Sequence, residues 1–212
     1  MTLTRRTLLS LSASLGLSFA ACTAHAQDVI RVATDSTFPP FEYMENGKRV
    51  GFDVELIEAI GKALGKKIEW TDIDFKGLVP GLVSKRFDVA ASAIYITDER
   101  RKVVDFTEPY YPGGLVIMTK KGDNKIQSPD DLNGKKVAVQ VGTKSVNFLK
   151  ENFPAVERVE VEKNQEMFQL VEIGRADAAV TGKPAAKVYV RAKGTLQVVE
   201  KQLTIEEYGY AI

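Results

Sequence analysis

A run of five consecutive charged residues lies inside residues 95–111, between an apolar run and an aromatic, proline-containing run. Thr97 precedes the charges and can cap a short helix, while Asp98 and Glu99 complement the positive end of the helix dipole. The next residue, Arg100, carries a planar guanidinium whose paired N–H groups match a carboxylate, as a lysine cannot. The run is therefore either a solvated helical turn or a turn that presents an anion-binding group.

Other reactive side chains are scarce in this sequence. The only histidine and the only cysteine are His25 and Cys22, both in the N-terminal segment. This segment is predicted below to be a signal peptide, and its removal leaves a chain without histidine or cysteine. Serine–histidine or cysteine–histidine catalysis, thiol redox chemistry and the usual zinc sites then each lack a necessary residue. We predict no cofactor, no metal and no catalytic residue, and a protein that binds rather than reacts.

The N-terminal segment has the pattern of a secretory signal. Arg5 and Arg6 precede the apolar run 8–21, which is too short to span a bilayer, and residues 24–26 form an A-x-A cleavage site. We predict a signal peptide over residues 1–26 and a periplasmic location.

Two features leave the export route and the processing open. Residues 4–9 resemble a loose twin-arginine signal, so the sequence does not decide between that route and the general secretory route. Residues 19–22 resemble a lipoprotein box with Phe19 where leucine is usual, so lipid anchoring at Cys22 is an alternative.

Size and composition are those of a soluble globular protein. The chain has 212 residues, of which 44% are hydrophobic and 27% charged, enough for one large domain or two small lobes. The formal net charge of +1 provides no basic field for a nucleic acid backbone. We expect no nucleic-acid partner, and we expect a monomer.

Apolar runs alternate with amphipathic stretches in the first half of the chain. The pattern predicts strands at Val29–Thr34, 67–73 and 88–93, separated by a helix at Phe52–Leu64 and another at about 77–85. Such alternation implies an α/β fold with a mostly parallel sheet and helices on both faces.

The second half of the chain repeats this organisation. The predicted strands are 115–119, 136–141, 156–161, 177–181 and 196–199, the predicted helices are 143–152, 165–174 and 183–193, and a capped turn is predicted at 128–132. We therefore predict two α/β lobes, residues 27–112 and 113–205, and a return strand at 206–212.

Six motifs occur in order along the chain. They are ATDSTFPPFEY, GFDVELIEAIGKAL, DFKGLVPGL, ITDERRKVVDFTEPYY, VGTKSV and GRADAAV. In this order they resemble the periplasmic polar amino acid-binding proteins of ABC importers, the glutamine, histidine and arginine binders of solute-binding protein family 3. The similarity covers nearly all of residues 28–212.

The resemblance implies a fold and a partner. The fold is that of the type II periplasmic binding proteins: two α/β lobes joined by two hinge strands, with a ligand cleft between them. The runs 113–119 and 208–212 match the hinges. Relatives continue with a helical tail that packs on the first lobe, so we expect the sequence to be C-terminally truncated. The implied partners are a small polar amino acid or related carboxylate and a membrane permease.

Five site residues match the family's contacts. The resemblance assigns Arg100 and Thr143 to the ligand carboxylate, one from each lobe. Phe38 and Phe75 match the aromatic pair that sandwiches the ligand stem, and Asp35 matches a carboxylate that accepts hydrogen bonds from a polar ligand side chain. Each residue also has an ordinary structural alternative. Arg100 could be a surface arginine and Thr143 a helix cap. The two phenylalanines could be ordinary core residues, and Asp35 could cap a turn.

At other family positions, either the backbone makes the expected contact or the residue type differs from the one usual in the family. Ser92 and Ala93 match positions whose backbone carbonyl and amide face the ligand. Tyr95 stands where a serine or threonine is usual, which predicts a narrower pocket. Gln140 and Lys144 stand where glutamine binders carry a lysine and a glycine.

The largest departure is Gly182, which replaces the aspartate that pairs with the α-ammonium in relatives. Either Asp35 or Glu42 takes over the ammonium, or the ligand is a small carboxylate without one. Both hypotheses fit a solute-binding protein that closes on its ligand and delivers it to a permease. The alternative function is a periplasmic cyclohexadienyl or arogenate dehydratase, which has a similar fold and in which a cleft carboxyl group could protonate a leaving hydroxyl.

Overall fold

The computed structural model describes residues 29–212. The predicted signal peptide, residues 1–26, and the alternative lipid anchor at Cys22 lie outside the described residues. Within the described range the chain forms two α/β lobes with a cleft between them, so the predicted fold class is confirmed.

Strands and helices alternate along most of this range. The strands are β1 (Val29–Thr34), β2 (Thr37–Phe38), β3 (Glu42–Glu45), β4 (Lys48–Val50), β5 (Lys67–Asp72), β6 (Val89–Ala90), β7 (Tyr111–Pro112), β8 (Leu115–Lys120), β9 (Lys136–Gln140), β10 (Glu157–Val161), β11 (Ala178–Gly182), β12 (Leu196–Val198) and β13 (Glu207–Tyr208). The helices are α1 (Phe52–Leu64), α2 (Leu78–Val83), α3 (Asp98–Arg101), α4 (Lys144–Asn152), α5 (Asn164–Glu172) and α6 (Lys183–Lys193), with 3₁₀ turns at Phe75–Gly77 and Pro129–Leu132.

The sheet of the first lobe is parallel, in the order β5-β1-β6. Helix α1 covers it with Val54 and Ile57, which are buried, and ends at Gly65 in the left-handed conformation. A Cβ atom at Gly61 would lie 2.6 Å from Cγ1 of Ile68, so the glycine allows the helix to pack closely against β5.

A small antiparallel sheet, β2-β3-β4, was not predicted from the sequence. Its tight turn is Asn46-Gly47, whose φ angles of 50° and 75° are those of a two-residue hairpin loop. The pairing places Phe38 directly opposite Glu42, so the hairpin positions two residues that line the cleft.

The predicted strand at 88–93 was too long. It is regular only over β6, because Ala93 has a φ of 42° and its amide donates to the Asp53 carboxylate instead of a sheet partner. The chain after β6 therefore leaves the sheet, and Ser92 and Tyr95 reach the cleft.

The sheet of the second lobe has the order β10-β9-β11-β8-β12. Strand β8 runs antiparallel to both of its neighbours, and the pairs β10–β9 and β11–β9 are parallel. Both faces are buried: Ile117 and Val139 belong to one apolar cluster, and Met118 and Ala138 belong to another. Buried aliphatic side chains on both faces require a helix layer on each side.

The crossing between the lobes is shorter than predicted. At this crossing, strand β7 pairs antiparallel with β13. The predicted hinge at 113–119 is wrong for most of its length, because its residues from Leu115 onward belong to β8, which lies inside the second sheet. Of the predicted hinge at 208–212, only the first residue pairs with β7. The end of the chain returns to the first lobe, where Ala211 and Ala90 exchange backbone hydrogen bonds of 2.9 and 3.1 Å.

Candidate functional site

A cleft of about 470 Å³, counted to its open mouth, lies between the two lobes. All eleven residues predicted from the sequence line it: Asp35, Phe38, Phe75, Ser92, Ala93, Tyr95, Arg100, Gln140, Thr143, Lys144 and Gly182. Their roles in binding stay predictions. The cleft is also lined by Thr37, Glu42, Leu115, Ser145, Val180, Thr181 and Tyr208. Among these seven, Glu42 alone was a candidate from the sequence.

Arg100 places a positive charge in the cleft. Helix α3 orients it, because Thr97 caps the helix as predicted: its Oγ1 accepts from the Arg100 amide at 3.2 Å. The guanidinium donates to the backbone oxygens of Tyr95 at 2.7 Å and Gly142 at 3.2 Å. Its carbon lies 5.5 Å from the centre of the Phe75 ring.

This guanidinium has no acidic partner in the described part of the chain, where no Asp or Glu oxygen lies within 4.0 Å of it. Desolvation lowers the pKa of Arg100 from its usual value to about 10, so it stays protonated at neutral pH. A half-buried guanidinium whose known partners are backbone carbonyls still has N–H groups for a carboxylate.

The second lobe meets Arg100 with the start of helix α4. Thr143 precedes the helix, but its hydroxyl donates to the Gln140 carbonyl at 2.7 Å and does not cap the helix, so the alternative role of a side-chain cap is not seen at this position. The first amides of a helix have no partner within it. The backbone N–H groups at the start of α4 are therefore suited to an anion held by Arg100.

The two predicted aromatic residues reach the cleft from short elements of the first lobe. Phe38 ends β2, and Phe75 begins a 3₁₀ turn, and both are half-buried. The amide of Phe75 donates to Asp35 at 3.1 Å, which fixes this turn against the end of β1. Flat apolar rings at these positions can bury the methylene groups of a small ligand.

Asp35 is buried and fully engaged. Its carboxylate accepts from Thr37 at 3.0 Å, from Phe75, and from two side chains of the other lobe: Gln140 at 2.8 Å and Lys163 at 3.1 Å. Burial raises the pKa of Asp35, and the Lys163 charge partly opposes this rise. Asp35 therefore joins the lobes directly. No sequence pattern indicated Lys163, because its role depends on how the lobes meet.

Glu42 and Asp53 form a buried carboxyl pair at the wall of the cleft. Ser92 donates to Glu42 at 3.0 Å, while Ala93 and Tyr110 each donate to Asp53 at 2.9 Å. Burial and the neighbouring Asp53 raise the pKa of Glu42 well above its usual value, and burial raises the pKa of Asp53 to about 6. The Ala93 amide is thus engaged by Asp53, although the resemblance predicted that this stretch of backbone faces the ligand.

Tyr95 and Gly182 are coupled through a neighbouring tyrosine. Tyr208 donates to the Tyr95 hydroxyl at 3.0 Å, and their rings stack with centres 4.5 Å apart. A Cβ atom at Gly182 would lie 2.6 Å from the Tyr208 hydroxyl and 2.9 Å from the ring of Phe38. The tyrosine side chains thus occupy the space that a side chain at position 182 would need, and the two departures from the family pattern explain each other.

The remaining lysines near the cleft have partners. Lys144 lies 3.8 Å from Glu206, and Lys183 donates to Gln202 at 2.7 Å. Among residues 29–212 no group of three or more His, Cys, Asp and Glu side chains is placed to hold a metal ion. In the same range no helix is both long and apolar enough to cross a bilayer.

The fold and this cleft are those of the bacterial extracellular solute-binding proteins. The model of family 3 of these proteins matches residues 30–202, so the chain belongs to that family.

Similar proteins of known name and structure are binding proteins. A probable histidine-binding protein of Campylobacter jejuni is 37% identical over 164 residues, which cover 76% of this chain and 62% of that protein. The chain thus spans less than two thirds of that relative. The arginine-binding extracellular protein ArtP of Bacillus subtilis is 38% identical over 184 residues, or 85% of this chain and 72% of that protein.

A solved structure with the same fold is an ancestral amino acid-binding protein, AncCDT-1, described as a precursor of cyclohexadienyl dehydratase. It is 41% identical, with a TM-score of 0.81, and the match covers 87% of this chain and 81% of that one.

Proposed function

We propose that this protein is an extracytoplasmic solute-binding protein that captures a small polar amino acid, or a related carboxylate, and delivers it to an ABC-transporter permease. The observation that carries the proposal is the position of Arg100, a cation without an acidic partner among the described residues. It faces the start of helix α4 across the cleft. The names of the relatives, which are binding proteins for histidine and arginine, support it.

Closure of the lobes is the mechanism that we propose. Several direct contacts join the lobes, including those of Asp35 with Gln140 and Lys163, and the hydrogen bond from Gln165 to the Thr37 carbonyl at 2.9 Å. A ligand that touches both lobes adds contacts that exist only in the closed form, so binding shifts the population toward it. The permease then recognises the closed shape.

The boundaries and location follow from the same proposal. We assign residues 27–112 to the first lobe and 113–205 to the second, with 206–212 returning to the first. Residues 1–26 direct export to the periplasm, where the protein works as a monomer.

The proposal is tested by identifying the cargo. The protein is purified without denaturant, and the small molecules that it releases are identified by mass spectrometry and titrated back by calorimetry. A recovered carboxylate that binds one-to-one supports the proposal. Failure of every amino acid and small carboxylate to give binding heat contradicts it.

The dehydratase alternative has one observation in its favour. Glu42 lines the cleft, and its raised pKa favours the neutral acid, which is the form that a proton donor needs. Its Oε1 is already held by Ser92, however, and the cleft offers clamp residues rather than a matched acid and base. We therefore propose a binding protein and not an enzyme. A spectroscopic assay with prephenate and arogenate that detects turnover would reverse this assignment.

A further inference from the structure

We infer that the cargo is a carboxylate without an ammonium group on carbon 2, of the 2-oxo or 2-hydroxy acid class, rather than a zwitterionic amino acid. The inference rests on the proposed function and narrows its ligand. It depends on the groups that surround the place where carbon 2 of a carboxylate held by Arg100 must lie.

The acidic groups of the cleft are poorly placed to offer a negative charge. An ammonium group beside the Arg100 guanidinium needs an anion, and two acidic residues line the cleft: Asp35 and Glu42. The Asp35 carboxylate accepts four hydrogen bonds, one of them from the ammonium of Lys163. Glu42 accepts from Ser92 through Oε1, and its Oε2 has no hydrogen-bond partner among the described residues. Glu42 is fully buried beside the Asp53 carboxyl group, however, and both effects raise its pKa and favour the neutral acid.

A third acidic residue lies near Arg100 but does not line the cleft. Glu206 is half-buried in the segment that crosses between the lobes, and its nearest cation is Lys144 at 3.8 Å. Because Glu206 already pairs with Lys144 and does not line the cleft, it is not placed to serve a ligand ammonium.

Steric crowding at position 182 excludes an acidic side chain there. This position is the point on the opposite lobe that faces Tyr95 and Tyr208, and even a Cβ atom would lie 2.6 Å from the Tyr208 hydroxyl. An acidic side chain at position 182 is therefore excluded as long as Tyr95 and Tyr208 are present. Their phenol groups fill the space in which a carboxylate at this position could pair with a ligand ammonium.

The phenol groups offer a proton at this wall of the cleft. The Tyr95 hydroxyl accepts from the Gly114 amide at 2.9 Å and from Tyr208 at 3.0 Å, which uses both of its lone pairs. Its own proton is then left to be donated. An O–H donor at this wall suits an oxygen on carbon 2 of the ligand, whereas an ammonium would obtain from these phenol groups only the neutral Tyr208 oxygen as an acceptor and no negative charge.

The test is a comparison of matched acids that differ only on carbon 2. The series are glutamine, histidine, arginine and glutamate, each with its 2-oxo and 2-hydroxy acid, titrated into the purified protein by calorimetry. In the series that binds best, we expect an oxo or hydroxy acid to bind roughly 100-fold more tightly than the amino acid.

The outcomes separate this inference from the proposed function. If an amino acid binds as tightly as its oxo and hydroxy analogues or more tightly, the inference is wrong and the proposed function stands. If no oxo or hydroxy acid of any series binds, the inference is contradicted, and the proposed function is contradicted as well only when every other amino acid and small carboxylate also fails to bind.

Two variants test the cause. The triple variant Tyr95→Thr, Tyr208→Phe and Gly182→Asp removes both hydroxyls that lie next to the Cβ position of residue 182 and adds an acidic group there, so the preference should shift toward the amino acid by roughly 100-fold. Tyr95→Phe keeps the stacked ring and removes the hydroxyl whose proton is left for the ligand. It should weaken oxo- or hydroxy-acid binding about tenfold and leave amino acid binding unchanged, a difference that a general loss of stability would not give and that keeps the test valid if the triple variant does not fold. An unchanged preference in a folded triple variant, or in Tyr95→Phe, contradicts the inference.

Discussion

The guanidinium of Arg100 donates to the backbone oxygen of Gly142 at 3.2 Å, which joins the cation of the first lobe to the loop before helix α4 of the second. The cation that we propose to hold the carboxylate is therefore already in contact with the loop that leads to the proposed amide donors of α4. A ligand carboxylate can bind here only if it lies between or beside them.

Replacement of Arg100 tests the carboxylate clamp. Arg100→Lys keeps the charge but removes the planar pair of N–H groups, so we expect affinity to fall roughly 10- to 100-fold, or about 1.4–2.7 kcal/mol. The matched control is Arg101→Lys, one residue along the same helix, whose guanidinium packs over Phe106 instead. Calorimetry of both variants with the recovered cargo compares them directly, and equal affinities would remove Arg100 from the site.

A methyl group at Gly142 tests lobe closure. Gly142 has a φ of 78°, and a Cβ atom there would lie 2.8 Å from the Cα of Lys76 on the other lobe. Gly142→Ala should therefore hold the lobes apart and lower affinity.

The control separates the steric effect from backbone strain. Gly134 has a φ of 70° with nothing within 4 Å of its Cβ position. Both Gly142→Ala and Gly134→Ala should lose about 1–2 kcal/mol of stability from the left-handed conformation, but only Gly142→Ala should enlarge the radius of gyration in X-ray scattering with ligand. The same scattering curve for both variants would contradict the closure model.

Lys163 tests the ion pair between the lobes. Lys163→Met removes the cation that pairs with buried Asp35 at 3.1 Å and with Asp74 at 2.8 Å. Since Lys163 opposes the rise in the Asp35 pKa, that pKa should rise further in the variant, and the closed form should lose stability. We expect a loss of about tenfold in affinity. Lys187→Met, at an exposed position of α6, should bind as the wild type does. If the two variants bind alike, this ion pair does not stabilise closure.

The carboxyl pair of Glu42 and Asp53 predicts a pH-dependent stability. The folded pKa of Asp53, about 6, lies above its usual value of 3.8, so its contribution to stability is present at low pH and is lost as the pH rises through 6. Asp53→Asn removes this titration, and its amide can donate to Glu42 while its oxygen accepts from Ala93 and Tyr110.

The measurement is the free energy of unfolding in urea between pH 4 and pH 8. Relative to wild type, Asp53→Asn should gain stability with rising pH by up to roughly 3 kcal/mol. Asp105→Asn, at an exposed position, should give no such trend. A constant difference between Asp53→Asn and wild type across this range would mean that Asp53 is ionised throughout.

Regular elements with clear periodicity were predictable from the sequence. Helix α1 and strand β1 have the predicted bounds, because an apolar stripe or a short apolar run ends at a distinct turn residue in each case. The capped turn at Pro129–Leu132 also forms, with Asp131 accepting from Ser128 as the capping box requires.

Elements fixed by tertiary contacts were not predictable. The end of β6 is one such case, because it depends on a hydrogen bond from Ala93 to Asp53, a residue far away along the chain. The hairpin β3–β4 is a different case: Asn46-Gly47 is a local turn signal, and the hairpin could have been predicted from it. The hinge was misplaced because β8 is one continuous apolar run, a pattern that fits a strand crossing between lobes as well as one inside a sheet.

The site shows the same division. Motif order predicted residues that line the cleft, including Arg100 and Gly182, because these belong to local patterns. Lys163 and Tyr208 were missed, since each acts on a residue more than a hundred positions away. Only the folded chain shows that Tyr208 takes the space beside Gly182.

The central claim, that Arg100 and the start of helix α4 hold one carboxylate between the lobes, is tested most directly by a crystal structure of the protein with its recovered cargo. We predict a cargo carboxylate oxygen within about 2.7–2.9 Å of an Arg100 guanidinium nitrogen and a second contact to a backbone amide at the start of α4. A cargo whose carboxylate lies elsewhere in the cleft, with Arg100 still bonded only to the Tyr95 and Gly142 carbonyls, would contradict it.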